Sequence, residues 1–260
     1  MYRYLFCFFF LCISSCPELW AVRHARLLPP SEAIETWRNF FRQKLEFMCV
    51  GISWKDSISN ANNSAQGACQ LHLRPTEDGI EGQWSFNGKC RFFYKISSLN
   101  GMWQEYTVDG SSVIRENPSQ LLLECGNLSL FDLSMPFLYW ETVNYLGPDR
   151  VLGRPVQRFL LQPNASQRRQ NIAVSSVEIA LDPTWNIWLK IIYRNADGKI
   201  LQYANVLQLR KISSSDFEEI VDFITFPART KTRLALQYRT DEVTSDPISS
   251  KEKTSFIANK

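Results

Sequence analysis

Apolar residues recur at helical spacing between positions 31 and 45. They are Ala33, Ile34, Trp37, Phe40, Phe41 and Leu45, and charged residues fall on the opposite face. Pro29 and Pro30 precede this stretch and stop the preceding chain from running into a helix. The pattern therefore predicts one long amphipathic helix with Ser31 as its N-cap.

After Phe47 the apolar period changes to two, which is typical of half-buried strands. Turn signals such as Asp78-Gly79, Asn87-Gly88 and Asp197-Gly198 separate many of the segments. The alternation predicts about ten or eleven strands, over 69–73, 80–86, 90–96, 102–108, 120–125, 154–162, 174–181, 187–194, 200–211, 217–226 and 233–243. Short connections between them indicate a meandering antiparallel sheet.

An apolar stretch around Pro136, residues 128 to 141, interrupts the alternation and predicts two short helical turns lying on the sheet. The fold class is therefore mainly β (α+β): a large antiparallel sheet that curls into an incomplete barrel around one long and one or two short helices. A single domain over 31–243 is expected, followed by a polar, disordered tail over 244–260.

A barrel with so few helices has too little cover to fill its concave side, so an apolar hollow is expected there. The inward strand positions and the aromatic helix faces supply its expected walls. The candidate cavity-lining residues are Trp37, Phe41, Trp84, Phe86, Met102, Tyr106, Leu121, Leu123 and Phe131. The alternative for each of them is ordinary filled core.

The N-terminus has the layout of an export signal, with Arg3 followed by an apolar stretch from Tyr4 to Ile13. That stretch is too short for a bilayer core, which takes about 20 helical residues. Ile13-Ser14-Ser15-Cys16 resembles a bacterial lipobox, so residues 1–15 are the expected signal peptide, Cys16 the expected lipid anchor and 16–30 a linker. Cleavage after Ala21, giving a soluble periplasmic protein, is the alternative.

Composition and the absence of known motifs limit the partners and reactions that the chain is expected to have. The 260 residues carry a net charge of +3 without a long basic block, so no nucleic-acid partner is expected. His24 and His72 are the two histidines, and no hydrolase, phosphate-loop, zincin or Cys-x-x-Cys motif occurs, which leaves no expected catalytic residue, metal or cofactor. Scattered carboxylates, among them Asp132 and Glu218-Glu219, are expected at solvated positions. The chain is therefore not expected to be an enzyme.

Four cysteines, Cys49, Cys69, Cys90 and Cys125, follow the N-terminal segment. In an exported chain they allow two disulfides with three connectivities, and buried free thiols are the alternative. A two-residue hairpin at Asn87-Gly88 would set Ser85 opposite Cys90, and a second hairpin through Thr76-Glu77-Asp78 would set Cys69 near Ser85 on the other side. Cys69 and Cys90 would then lie two strands apart, roughly 9–10 Å and beyond the ~7 Å limit for a bridge.

The middle of the chain resembles a known family. The residues that carry the resemblance are Asn127 to Leu133, Leu138-Tyr139-Trp140, Gly147, Gly153-Arg154-Pro155, Phe159 to Pro163, Val177 to Asp182 and Ile191 to Lys199. They resemble the outer-membrane lipoprotein-sorting proteins, the LolA/LolB-like lipoproteins, most clearly over 120–212. The resemblance implies an incomplete antiparallel barrel with a helical lid and a hydrophobic cavity for acyl chains.

These observations predict a membrane-anchored protein of the bacterial cell envelope that faces the periplasm and binds lipid or the acyl chains of lipoproteins. Burying a sixteen-carbon chain removes about 15 CH₂ groups from water, or roughly 12 kcal/mol. Because a bilayer returns a similar amount, transfer would need no covalent catalysis. The alternative is a non-catalytic envelope sensor or scaffold that binds a protein partner.

Overall fold

The fold is given by a computed structural model that describes residues 27–42, 45–55, 62–65, 69–76, 79–86, 90–97, 101–107, 110–114, 128–165, 168, 173–212 and 216–240. These residues form helix α1 (Pro30–Arg42), helix α2 (Leu130–Ser134), a 3₁₀ turn (Pro136–Tyr139) and fourteen strands. The strands are β1 Leu45–Lys55, β2 Asn62–Ala65, β3 Cys69–Thr76, β4 Gly79–Phe86, β5 Cys90–Ser97, β6 Gly101–Thr107, β7 Ser112–Ile114, β8 Thr142–Val151, β9 Arg154–Gln162, β10 Ser176–Asp182, β11 Ile187–Arg194, β12 Ile200–Lys211, β13 Phe217–Thr225 and β14 Thr230–Thr240.

All fourteen strands belong to one antiparallel sheet, in the order β7-β6-β5-β4-β3-β1-β14-β13-β12-β11-β10-β9-β8, with β2 beside β1. Within the described residues, β7 and β8 are the edges and do not pair with each other. The sheet is therefore an incomplete barrel, and the predicted fold class is confirmed.

Four strands of the structure were not predicted: β1, β2, β7 and β8. In β8, Gly147 and Pro148 suggest a turn, yet they lie within the strand, where the register with β9 shifts between Tyr145 and Gly147. Pro148 is tolerated because β8 is an edge strand. The predicted strand over 120–125 lies outside the described residues.

Helix α1 begins two residues earlier than predicted, at Pro30 rather than after Ser31. The Pro29 carbonyl oxygen accepts a hydrogen bond from the Ala33 amide at 2.9 Å. Proline suits the first helical position because its missing N–H would have no partner there and its φ is already helical. Ser31 therefore lies in the first turn and is not the N-cap.

The predicted turns around Pro136 are confirmed as α2 and the 3₁₀ turn. We call residues 128–141, which contain both, the helical insert. The loop at Asn87-Gly88 is longer by one residue than predicted, since Cys90 pairs with Phe86 and not with Ser85. Because Cys69 also pairs with Phe86, Cys69 and Cys90 still lie two strands apart.

Candidate functional site

Helix α1 covers the inner face of the sheet with one apolar stripe. Ala33, Ile34, Trp37 and Phe41 are buried, and Trp37 and Phe41 are each 1% exposed. The two aromatic rings meet edge to face, with centroids 5.7 Å apart. The helix packs against β1 and β3, while its opposite face is exposed to solvent. It is thus a one-sided cover on the sheet.

The helical insert is buried much more completely. Ser129 caps α2 through a capping box, in which the Ser129 amide and hydroxyl both donate to the Asp132 carboxylate at 2.7 Å. Every residue from Leu128 to Leu138 is buried. The rings of Phe131 and Phe137 both have their centroids 5.9 Å from that of Tyr193 on β11. The insert is therefore part of the core.

Three hydrogen bonds join these covers to each other and to the sheet. The Arg38 guanidinium donates to the Trp140 carbonyl oxygen at 2.7 Å, linking α1 to the insert. The Trp84 indole donates to the Leu133 carbonyl oxygen at 3.0 Å, linking β4 to the insert. The Gln157 amide donates to the Leu28 carbonyl oxygen at 2.7 Å, linking β9 to the segment before α1.

Four of the predicted cavity-lining residues come together in one hydrophobic cluster: Trp37, Phe41, Trp84 and Phe131. None of them is more than 3% exposed. In this conformation the four side chains pack as core, and their role as walls of an acyl cavity stays a prediction.

The remaining predicted site residues divide by position. Phe86 shares a register row with Cys69, on the same alternate positions of β4 as Trp84. Through β5, Met102 on β6 is in register with Glu81 on β4, and Tyr106 is in register with Ser85. Glu81 and Ser85 occupy the alternate positions of β4 that Trp84 does not. The register therefore gives no support to placing Met102 and Tyr106 on the same wall as Trp84. Cys16, Leu121 and Leu123 lie outside the described residues.

Two acids that the pattern assigns to solvated positions are buried instead. Asp132 is 8% exposed and Glu219 is 1% exposed. Burial raises the pKa of Asp132 to about 6, and hydrogen bonds from Ser129 partly offset this effect. Burial likewise raises the pKa of Glu219 to about 8, partly offset by a hydrogen bond with Tyr238. At neutral pH the Glu219 carboxyl is therefore mostly protonated.

The position of Glu219 follows from strand parity. It lies between Phe217 and Val221 on alternate positions of β13, and both of these are buried. The expectation of a solvated Glu219 was wrong because adjacent residues of a strand face opposite sides of the sheet. Glu218 is half-buried, whereas Glu219 faces the core. His72 is exposed, as predicted for its alternate position on β3.

Several buried polar atoms have no hydrogen-bond partner in the part of the chain that the structure describes. They include the Trp37 indole nitrogen, Gln157 Oε1, the Tyr193 hydroxyl and Glu219 Oε1. Such atoms are uncommon in folded proteins, because each costs about 1–3 kcal/mol when it is left unpaired. The interior beneath the helices thus retains unused hydrogen-bonding capacity in otherwise apolar surroundings.

An open recess of about 760 Å³ lies beside the end of β12 and the start of β13. Tyr238, the hydrogen-bond partner of Glu219, lines it together with Arg210, Lys211 and Ile212. Arg210 is occupied by an ion pair with Glu218 at 2.6 Å. Asp216 and Gln237 complete the lining, so the recess combines cationic, acidic, amide and apolar groups.

Among the described helices, none is long and apolar enough to cross a membrane. The residues that the structure describes likewise contain no group of three or more histidine, cysteine or acidic side chains placed to hold a metal ion.

The sequence matches no protein-family model and no curated protein. Solved structures do match. An outer membrane lipoprotein-sorting protein domain from Vibrio parahaemolyticus is 15% identical, with a TM-score of 0.63 over 82% of this chain and 94% of that one. A DUF1329 family protein from Desulfovibrio piger is 10% identical, with a TM-score of 0.64 over 85% and 96%.

A LolA superfamily protein from Nitrosomonas europaea is also 10% identical, with a TM-score of 0.59 over 85% of this chain and 96% of that one. At these identities the likeness shows the fold. The chain has the LolA-like fold that the sequence resemblance implied, and this fold spans most of its length.

Proposed function

We propose that this protein is a bacterial cell-envelope lipoprotein that binds lipid, or the acyl chains of lipoproteins, in the apolar space between the sheet and helix α1. The observation that carries the proposal is the one-sided packing of α1 on an incomplete barrel of LolA-like fold. The cover is apolar on its inner face and exposed on its outer face.

The energies of exchange support this role. Uncovering Ile34, Trp37 and Phe41 costs about 1.5–3 kcal/mol for each large side chain, or roughly 5–9 kcal/mol together. Burying a sixteen-carbon chain contributes roughly 12 kcal/mol as an upper estimate. Relative to a chain in water, insertion therefore outweighs the uncovering of α1 by roughly 3–7 kcal/mol. An acyl chain can thus replace α1 on the inner face, and it enters the barrel as α1 moves outward.

An unpaired polar atom on the inner face of α1 suggests how such a ligand is oriented. The Trp37 indole N–H is a buried donor without a described partner. An acyl ester has a carbonyl oxygen that accepts such a bond, while its chain remains in the apolar surroundings. No covalent step is needed, so we propose that the protein is not an enzyme and takes part in lipoprotein sorting or lipid transport.

The proposed location follows from the N-terminal sequence. Export by the signal peptide and acylation of Cys16 would tether the domain to a membrane through the linker that precedes α1. Replacing Cys16 by Ser should move the protein from the detergent phase to the soluble fraction, whereas Cys12→Ser should not. A soluble wild-type protein would contradict the anchor and leave lipid binding to be judged separately.

Mass spectrometry of lipids extracted from the purified full chain tests the proposal. We expect a co-purified acylated lipid and saturable binding of a fluorescent fatty acid that palmitate displaces. Absence of both an acylated lipid and fatty-acid binding would overturn the proposal.

The buried aromatic cluster supports a second candidate function. Phe131, Phe137 and Tyr193 are each at most 1% exposed, which suits a filled scaffold that binds a protein partner on its surface. Stoichiometric co-purification of an envelope protein, together with no fatty-acid binding, would favour this candidate over the first.

A further inference from the structure

Three cysteines lie in one register row of the sheet. Cys49 on β1 pairs with Cys69 on β3. Cys69 pairs in turn with Phe86 on β4, and Phe86 pairs with Cys90 on β5. Among the described residues, Cys49 and Cys69 are therefore the two cysteines that occupy neighbouring strands.

Backbone spacing alone distinguishes this pair. Directly opposite residues of antiparallel neighbours have Cα atoms about 4.5–5.5 Å apart. Disulfides usually join Cα atoms about 4.4–6.8 Å apart, so the register position of Cys49 and Cys69 satisfies this requirement. Cys90 is separated from Cys69 by a whole strand, about 9–10 Å, and does not satisfy it.

The pair occupies a structural joint. Strand β1 pairs with β3 over four residues, Glu46 to Cys49, and then pairs with β2 from Ile52 onward. The Cys49–Cys69 rung is the last of this short ladder, beside the register shift between Cys49 and Gly51. Through this ladder the sheet continues from β1 into β3, β4, β5, β6 and β7. A covalent bond at this rung would fix the joint between the two parts of the sheet.

We propose that Cys49 and Cys69 form a disulfide across this joint. The bond would form by thiol–disulfide exchange with an oxidised dithiol or glutathione disulfide. Both cysteine thiols lose their protons, two electrons pass to the oxidant's disulfide, and the oxidant leaves as two thiols. In cells this rests on the proposed export, because oxidants of this class persist outside the cytosol.

Trypsin separates the four relevant cysteines. Cleavage yields Leu45–Lys55 with Cys49, Asp56–Lys89 with Cys69, Cys90–Arg91, and Glu116–Arg150 with Cys125, since Arg74 precedes a proline and resists cleavage. The full chain is equilibrated with oxidised glutathione, its free thiols are alkylated, and the unreduced digest is analysed by mass spectrometry. We expect Leu45–Lys55 joined to Asp56–Lys89 as the dominant cross-linked species.

Matched variants sharpen the result. Cys90→Ser should leave the cross-link intact, while Cys69→Ser should abolish it and leave Cys49 alkylated. Alkylation of both Cys49 and Cys69 in the wild-type protein, or a link from either one to Cys90 or Cys125, would overturn the pairing. Because the readout does not involve lipid, it is independent of ligand binding. A bond formed in glutathione but missing from protein taken from cells would confirm the pairing and contradict the envelope location.

Discussion

Helix α1 and the helical insert cover the same sheet in different ways. In α1 the buried residues form one stripe, and Ser31, Glu32 and Glu35 face solvent. In the insert, all residues from 128 to 138 are buried, and the Ser129–Asp132 capping box is buried with them. Removing α1 would uncover a stripe, whereas removing the insert would dismantle the core.

The difference indicates which element can move. A helix of 13 residues is marginal in isolation, so α1 depends on its docked apolar face. Its described polar link to the insert is the Arg38 bond to the Trp140 carbonyl oxygen. We therefore expect the insert to be the fixed cover and α1 to be the separable one. This assignment connects the fold to the proposed acyl site.

The largest expected effect comes from matched truncations of the two covers. Phe131→Ala in the insert should lower the free energy of unfolding by about 3–5 kcal/mol, because it leaves a cavity in fixed core. Phe41→Ala in α1, at the same 1% exposure, should cost less because α1 can undock without global unfolding. Urea denaturation followed by circular dichroism measures both, and equal losses would contradict the assignment.

The next effect concerns pH and the interior below the covers. The pKa of Glu219 is raised from 4.5 to about 8, so the unfolded state ionises first as pH rises. Stability from this residue is full below pH 4.5 and declines up to about pH 8, by an amount on the order of a few kcal/mol. Glu219→Gln should flatten this decline in urea titrations, and an unchanged pH profile would refute the buried, protonated carboxyl.

Asp132 should act in a lower window, because its pKa is raised from 3.8 to about 6. Its contribution is full below pH 3.8 and is lost as pH rises to about 6. Asp132→Asn should remove only this part of the pH dependence, which belongs to the insert. A change confined to pH 6–8 in this variant would contradict the assignment.

A smaller contrast concerns two serines at the N-terminal ends of the helices. Ser129→Ala removes a buried cap and should cost about 0.5–2 kcal/mol. Ser31→Ala changes an exposed residue inside the first turn of α1 and should stay within about 0.5 kcal/mol. Thermal denaturation of both variants measures the contrast, and a larger loss for Ser31→Ala would reverse the expected order.

A further modest effect on stability comes from the link between the covers. Arg38→Ala removes the hydrogen bond to Trp140 and should cost about 1 kcal/mol. It should also raise the binding of a hydrophobic dye, because α1 then undocks more often. Glu35→Ala is the control, since Glu35 contacts Arg38 from the exposed side. Equal dye binding by both variants would contradict the role of the Arg38–Trp140 bond.

Local patterning accounts for much of the fold. It fails where the structure of a segment depends on its register with a neighbouring strand or on its position in the sheet. Alternation predicts β3, β4 and β5, and the apolar run around Pro136 predicts the insert. The pattern misses β1, which pairs successively with β3 and β2, and β8, whose Gly147 and Pro148 occupy an edge strand. The positions of Met102 and Tyr106 depend on a register that spacing along one strand does not supply.

The chemistry of the interior is harder to predict than the fold. Parity with Phe217 and Val221 identifies Glu219 as inward-facing once β13 is recognised. The burial of Asp132 depends on the insert folding onto β11, which is a long-range contact. The pairing of Cys49 with Cys69 likewise depends on strand order. Such features arise from topology, and residue spacing alone does not reveal them.

Hydrogen exchange of α1 and the insert, measured with and without saturating palmitate, tests the separable cover most directly. Amides of α1 should exchange faster than those of α2 in the free protein, and their exchange rates should change when palmitate binds, while those of α2 change little. Equal exchange in both elements, unaffected by palmitate, would contradict both the separable cover and the acyl site beneath it.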